Sequence, residues 1–470
     1  MTQTIDRAWT KGEKFLFRVA FAFFLLLIFP LDLTWYDRLF HPRSFFWILS
    51  SLAGYRANFI TLTSESARWG IAGYATWGAA LLGALIIAGG WTFLVRKNEP
   101  ENYNRLYYWL RVVVRYRIAL GIIAFGFLKF YPMQMPPPAI SNLETDLGDY
   151  NTYKLYWQQV GVSIWYEVVL GLVEIVGGIL LFFRGTTALG AVINIGVLGN
   201  IAHANLAYDG AVHVYSSFFV LLSLFILVPY VAPLWKLLIK QEDVSLQLYR
   251  PAWKSRAQQI WAHTVKYVIV FFFTILYGIL RYDVHFKQGN LKDPITPGLA
   301  KAAGVYNVTT FKLNGQDLPY SPLDSVRWSQ VIFEKWSTLV YKVHKPFAIS
   351  LPNGDPQPKD VDRSYELAGV AGGNRFLYYR ADTANGLLYL QDKAQKTAWE
   401  DRNKPTKPSN KTPEKTKSKE EDAPQLVWHF TRQGSERIIL SGLSERKDSI
   451  YAVLDRVPID YPLQLKRSQL

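Results

Sequence analysis

The sequence predicts an α-helical integral membrane bundle followed by an all-β antiparallel barrel or sandwich. Three observations carry this. Long apolar runs recur up to Leu280, short runs alternating apolar and polar residues occupy the chain from Lys301 to Tyr461, and the composition changes abruptly beyond Tyr282. Half of the 470 residues are apolar and 16 are Trp, which suits a protein that lines both membrane interfaces with aromatic rings. The net charge of +15 is not read as a nucleic-acid footprint, because much of the Lys and Arg flanks apolar runs, as positive-inside topology requires. There is no cysteine, so a disulfide framework, a zinc-thiolate site, an iron–sulfur cluster and thiol chemistry on this chain are excluded.

The runs give about seven spans, each near the roughly 20 residues needed to cross hydrocarbon. The first covers Phe15 to Trp35 and is read as a retained anchor, since bulky LDLTWYDRLF follows it where a cleavage site would stand. His41 to Arg68, with FFWIL inside, is read as an interfacial segment, and the second span runs from Trp69 to Leu94. Four closely spaced runs between Arg111 and the end of the Pro229 region form the third to sixth spans, and Val265 to Leu280 forms the seventh. The division is therefore 1–110, a two-helix region with an interfacial loop; 111–240, a four-helix bundle; 241–284, a loop and the last span; and 285–470, the β domain.

Orientation follows from the loops. Arg96 to Arg115 and Lys236 to Lys266 are basic, whereas Tyr131 to Trp157 holds Glu144, Asp146 and Asp149 against Lys154. These place the amino terminus inside and the β domain outside, although Arg38, Arg43, Arg56 and Arg68 fall in the first outer loop. In the β region GVYNVTTFKL followed by NG, RWSQVIFEKW, LVYKVHKPFAISL followed by PNGD, RFLYYR, GLLYLQD, LVWHFTR, RIILSGL and IYAVLD read as strands. The charged segment 393–424 between two of them is read as a disordered insertion.

Ionisable groups at membrane depth are costly, so those in the bundle are the candidate site. With the inferred topology Lys129, Glu167, His203, Asp209 and His213 converge on the outer leaflet, and Glu174 lies near mid-membrane. Glu167 and Glu174 are two helical turns apart and share a face with Gly171 and Gly178; Gly196, Asn200 and His203 form a matching stripe on the next span. The two stripes are expected to meet, bringing a carboxylate to an imidazole or amide. Arg117 is expected to snorkel to the inner interface. The histidines lack the paired spacing of helix-borne ligands, so no metal site is expected.

The bundle resembles the DoxX-like family of bacterial inner-membrane proteins in its long form. The resemblance rests on Arg117, Gly121, Gly126 and Lys129, on Glu174, Gly177 and Gly178, and on Asn205, Tyr208 and Asp209 in NLAYD. It implies a four-helix membrane module, some relatives of which associate with quinone-linked or thiol redox systems. Without cysteine, a redox role here needs a quinone or a periplasmic or membrane partner. On that reading Lys129, Glu167, Glu174 and His203 line a lipid-open cleft that binds a quinone headgroup and relays protons, with Asn200, Asn205, Tyr208 and Asp209 as further contacts. The outer domain is similar to the start of lipocalin-like barrels at Gly304-Val305-Tyr306 and at Arg327-Trp328. The alternative reading is a non-enzymatic envelope protein whose periplasmic β domain binds a lipid, peptide or protein partner, the bundle acting as an anchor. An enzymatic role is left open between these two.

Overall fold

A computed structural model describes residues 8–60, 71–210, 212–245, 248–253, 255–347, 354–394, 426–461 and 463. The chain forms two compact units: one from residues up to Pro132 with Trp165–Asp283, the other from Met133–Ile164 with the chain beyond Val284. The loop read as part of the bundle, 131–157, thus belongs almost entirely to the second unit. Most of the charged insertion read at 393–424 lies outside the described residues.

In chain order the helices are α1 (Lys11–Ile28), α2 (Leu33–Phe40), α3 (Phe45–Gly54), α4 (Ala75–Val95), α5 (Asn104–Phe130), α6 (Ile140–Leu143), α7 (Thr152–Gly161), α8 (Ile164–Phe182), α9 (Thr187–Ala207), α10 (His213–Leu238), α11 (Arg256–Val270) and α12 (Tyr277–Tyr282). A π-helical turn, Phe271–Leu276, joins the last two into one span, Arg256–Lys287. It extends past both ends of the apolar run read as the seventh span, because its first turns, RAQQIWAH, are too polar for hydropathy to register. Among the described residues five helices are long and apolar enough to cross a membrane, and α1 with α2 makes a sixth if that pair, bent by 50° at the break between them, is one span. The count of seven includes α5, whose 27 residues carry Arg105, Arg111, Arg115, Arg117 and Lys129.

A capping box starts α1: Thr10 Oγ1 accepts from Glu13 N–H at 3.2 Å, and the Glu13 carboxylate accepts from Thr10 N–H at 2.9 Å. Thr10→Ala should cost about 1 kcal/mol, seen as faster amide exchange at Glu13 and Lys14; unchanged protection would show that the box contributes nothing. Deeper in α1, Arg18 is buried and donates to Thr92 Oγ1 at 2.6 Å, to Glu99 at 2.6 Å and to the Tyr103 hydroxyl at 2.8 Å. Arg18 therefore fastens α1 to α4 and to the start of α5.

Three arginines of α5, Arg111, Arg115 and Arg117, are accommodated because each donates to a backbone carbonyl. Arg115 donates to Leu181 O at 2.8 Å near the end of α8, and Arg111 donates to Ile226 O at 3.2 Å, just before Pro229 in α10. Arg117 is buried and donates to Ala53 O at 3.1 Å and to Tyr55 O, the last carbonyls around α3, and to the Tyr215 hydroxyl at 3.2 Å. It does not snorkel, because the open end of α3 supplies inside the unit the acceptors that water would supply outside.

The second unit is a closed barrel. Its strands are β1 (Gly304–Leu313), β2 (Gln316–Asp317), β3 (Gln330–Phe333), β4 (Thr338–Lys342), β5 (Asn374–Asp382), β6 (Leu387–Asp392), β7 (Leu426–Gln433), β8 (Arg437–Leu443) and β9 (Ser449–Val457). Eight of them form an antiparallel meander, β1-β3-β4-β5-β6-β7-β8-β9, which closes by pairing β9 with β1; β2 only extends a hairpin from β1. That hairpin turns at Asn314 and Gly315, with φ of 51° and 79°, as the NG signal requires. A bulge between Val308 and Thr310 moves the inward parity of β1 from Tyr306 and Val308 to Phe311.

Rings fill the barrel interior: the Trp328 ring stacks on Tyr341 with centroids 4.4 Å apart and lies 5.2 Å from that of Trp428 and 5.4 Å from that of Phe311. The opposite faces of β1, β3, β4 and β5 are buried too, with Val305, Ile332, Val340 and Phe376 packed on Ile140 and Leu367. Burial on both faces explains why Val331, Ile332 and Phe333 follow one another without the polar alternation read from the sequence.

Candidate functional site in the helical unit

Small residues bring α5 and α8 together. A β-carbon at Gly126 would stand 2.8 Å from Gly171 O, and one at Gly171 would stand 2.6 Å from Gly126 O, so only glycine permits this approach. One turn beyond each glycine comes a charge. Lys129 Nζ lies 2.8 and 3.0 Å from the two oxygens of Glu174, with the residues 4% and 1% exposed. The close backbones keep water from the pair, which is a closed contact and not part of an open cleft. Glu167 is buried on the same helix.

The other nominated residues lie elsewhere. The stripe of Gly196, Asn200 and His203 does not meet the face of Glu174: Asn200 and His203 are exposed, and a β-carbon at Gly196 would touch nothing. The side of α9 that faces α8 carries Gly190 and Asn194 instead, Asn194 Oδ1 standing 2.7 Å from where a β-carbon of Gly177 would be. The two stripes were matched by spacing alone, and spacing does not fix how far a helix is rotated about its axis. Asn205, Tyr208 and Asp209 form the stop of α9. Asp209 has φ of 53°, Gly210 N–H donates to Asn205 O at 2.7 Å, and Tyr208 N–H donates to Ala204 O at 2.9 Å, the pattern of a helix ending in a left-handed residue. The Asn205 amide donates to Ile201 O at 2.7 Å. His213 opens α10 across that turn, its ring 5.8 Å from that of Tyr74.

The unit holds a cavity of about 1410 Å³ away from the ion pair. Its walls come from the break between α1 and α2 (Phe29, Pro30, Trp35, Tyr36), from α3 (Leu52) and Tyr55, from one face of α5 (Arg105, Trp109, Val113, Tyr116, Arg117, Leu120), from Tyr249 and Trp253, and from one face of α11 and the π turn (Gln258, Trp261, Ala262, Lys266, Phe273). Pockets for drug-sized ligands measure about 300–1,000 Å³, so this partly open space has room for a longer molecule. Arg117 both lines it and holds the end of α3 beside it. The sequence gives no direct sign of this void, since its lining is drawn from segments more than 200 positions apart.

A second concentration of buried charge lies in the barrel unit. Glu366 accepts from Trp336 Nε1 at 2.7 Å, from Thr338 Oγ1 at 2.9 Å and from Lys393 Nζ at 2.5 Å. Lys393, placed by the sequence reading in the disordered insertion, is therefore part of this interior. Glu334 accepts from the N–H groups of Ile140 and Ser141 at 2.9 and 2.8 Å, at the start of α6. Lys154 donates to Tyr365 O and rests 3.5 Å from the centre of its ring, and the Lys292 ammonium lies over Trp157 at 4.5 Å. Burial, with Glu366 nearby, pushes Asp293 and Glu334 up to about 7 in spite of the hydrogen bonds to Glu334, and burial pushes Lys154 down to about 7. Among the described residues no group of three or more His, Cys, Asp or Glu is placed to hold a metal ion.

These features define a class, a multi-helix protein with membrane-length apolar spans, a partly open aromatic-lined pocket among its helices and a closed, filled β-barrel. No family model, curated protein or solved structure matches the chain.

Proposed function

We propose that the protein is a multi-pass protein of the bacterial inner membrane whose helical unit binds a long-chain amphiphile, with its amino terminus cytoplasmic and its β-barrel unit periplasmic. The observation that carries this is the 1410 Å³ aromatic cavity, larger than a compact metabolite needs and walled by spans of membrane length. Binding is the role the lining favours: it has the cations Arg105, Arg117 and Lys266 and no acidic residue, and the Lys129–Glu174 pair is buried apart from it. The filled barrel interior favours the bundle over the barrel as the ligand's seat.

A second reading keeps the DoxX-like, redox-associated role and moves the quinone to this cavity. Arg105 and Lys266 on its wall are donors for quinone carbonyls, and electrons would pass to a membrane or periplasmic partner. Mass spectrometry of organic extracts from the gently purified protein tests both readings. We expect one class of long-chain molecule to be retained by the wild type and lost from Ala262→Trp, which fills the cavity from the α11 wall. A phospholipid supports the first reading and an isoprenoid quinone the second; no retained amphiphile, or equal retention by both proteins, overturns the cavity as the site.

A further inference from the structure

The wall of the cavity has a direction. On α5 it runs from Arg105 in the first turn to Leu120, and on α11 from Gln258 in the first turn through the π turn to Phe273. Each path advances 15 positions along its helix, about 22 Å at the α-helical rise of about 1.5 Å per residue. That is about half of a bilayer some 40–45 Å thick including its headgroups. The cavity therefore matches one lipid in one leaflet, with a polar end at the first turns and an apolar end at Leu120 and Phe273.

Its charge is one-sided. Among the lining residues the charged ones are Arg105, Arg117 and Lys266, and none is acidic. Arg117 is engaged by the carbonyls of Ala53 and Tyr55. Arg105 and Lys266 have no carboxylate partner among the described residues; the Lys266 ammonium lies 4.3 Å from the centre of the Tyr267 ring. Lys266 stands two turns deeper than Gln258, and a lysine stem can carry its ammonium back toward the interface.

Resting on the amphiphile-binding reading, we infer that the cavity holds one anionic glycerophospholipid of the leaflet at the first turns of α5 and α11, its headgroup bound by Arg105 and Lys266 and its acyl chains lying toward Leu120 and Phe273. In the proposed orientation this is the cytoplasmic leaflet.

The test uses the full chain, delipidated and then equilibrated with mixed micelles of phosphatidylglycerol and phosphatidylcholine with identical acyl chains, the bound lipid being counted by native mass spectrometry. The wild type should prefer phosphatidylglycerol on the order of tenfold, since each basic residue near a lipid headgroup contributes appreciably to anionic selectivity. The double variant Arg105→Gln/Lys266→Gln should bind the two lipids about equally, and Arg105→Lys/Lys266→Arg should restore the preference, which separates lost charge from misfolding. Equal binding of both lipids by the wild type, or an undiminished preference in the Gln variant, overturns the headgroup assignment and leaves the cavity as a site. Retention of neither lipid overturns the cavity reading itself.

Discussion

Replacing Glu174 by alanine should lower the stability of the helical unit by about 3–5 kcal/mol, the usual cost of leaving one partner of a buried ion pair without the other. Lys129 would keep its ammonium between α5 and α8, where the contact of Gly126 with Gly171 leaves no room for water to replace the carboxylate. Lys129→Ala should cost a similar amount for the opposite reason. The double variant Lys129→Met/Glu174→Leu removes both charges while keeping apolar volume, so it should regain most of the loss. Thermal unfolding in detergent, followed by circular dichroism, reads all three proteins. A Glu174→Ala protein that melts with the wild type would show that the pair contributes nothing, and a double variant as unstable as the single ones would assign the effect to packing.

In the barrel unit the largest effect is expected from Lys393→Met, again about 3–5 kcal/mol, because the buried Glu366 carboxyl would lose its ammonium partner while Glu334 and Asp293 stay nearby. The same groups give the unit an unusual response to pH. Between about pH 4.5 and 7 Asp293 and Glu334 hold protons in the folded unit that the unfolded chain has released, so stability should fall as the pH rises, by at most about 1.4 kcal/mol per pH unit for each group. Above 7 the carboxyls are ionised in both states. Lys154, whose folded value is about 7, is then neutral when folded and charged when unfolded, so its contribution rises with pH toward its ordinary value. The three groups together therefore place a minimum of stability near pH 7. Amide exchange of β3 and β4 at pH 5.5, 7 and 8.5, corrected for intrinsic rates, measures this, and a steady rise in protection across the series would contradict it.

The membrane-length helices are legible in the sequence because twenty apolar residues in a row leave few other solutions, and the barrel strands because turn residues punctuate their alternation. The candidate site was less legible. Spacing placed Glu174 on a glycine-bearing face, but its partner is set by how Gly126 seats on Gly171, a contact between helices that no pattern within one helix encodes. The same gap led Asn200 and His203 to be matched with a face they do not meet. NLAYDG, in contrast, carried its own explanation: a residue able to take positive φ followed by glycine is a helix stop, and the signal was overshadowed by its polar residues. Arg117 was misplaced because the short helix whose end it binds lies in a segment read as interfacial.

The barrel unit is assembled from two stretches far apart in the chain, and this sets an order of events during synthesis. Ile140, Ser141 and Lys154 leave the ribosome long before the strands and loops they pack on. At about 5–20 residues per second, the interval from Ile164 to the closing strand at Val457 is roughly 15–60 s. Through that interval the early stretch waits with its apolar and ionisable side chains uncovered, tethered at both ends to helices already made. The strands then close beside a segment delivered first, so the last stage of synthesis is what covers the passage between residues 133 and 164.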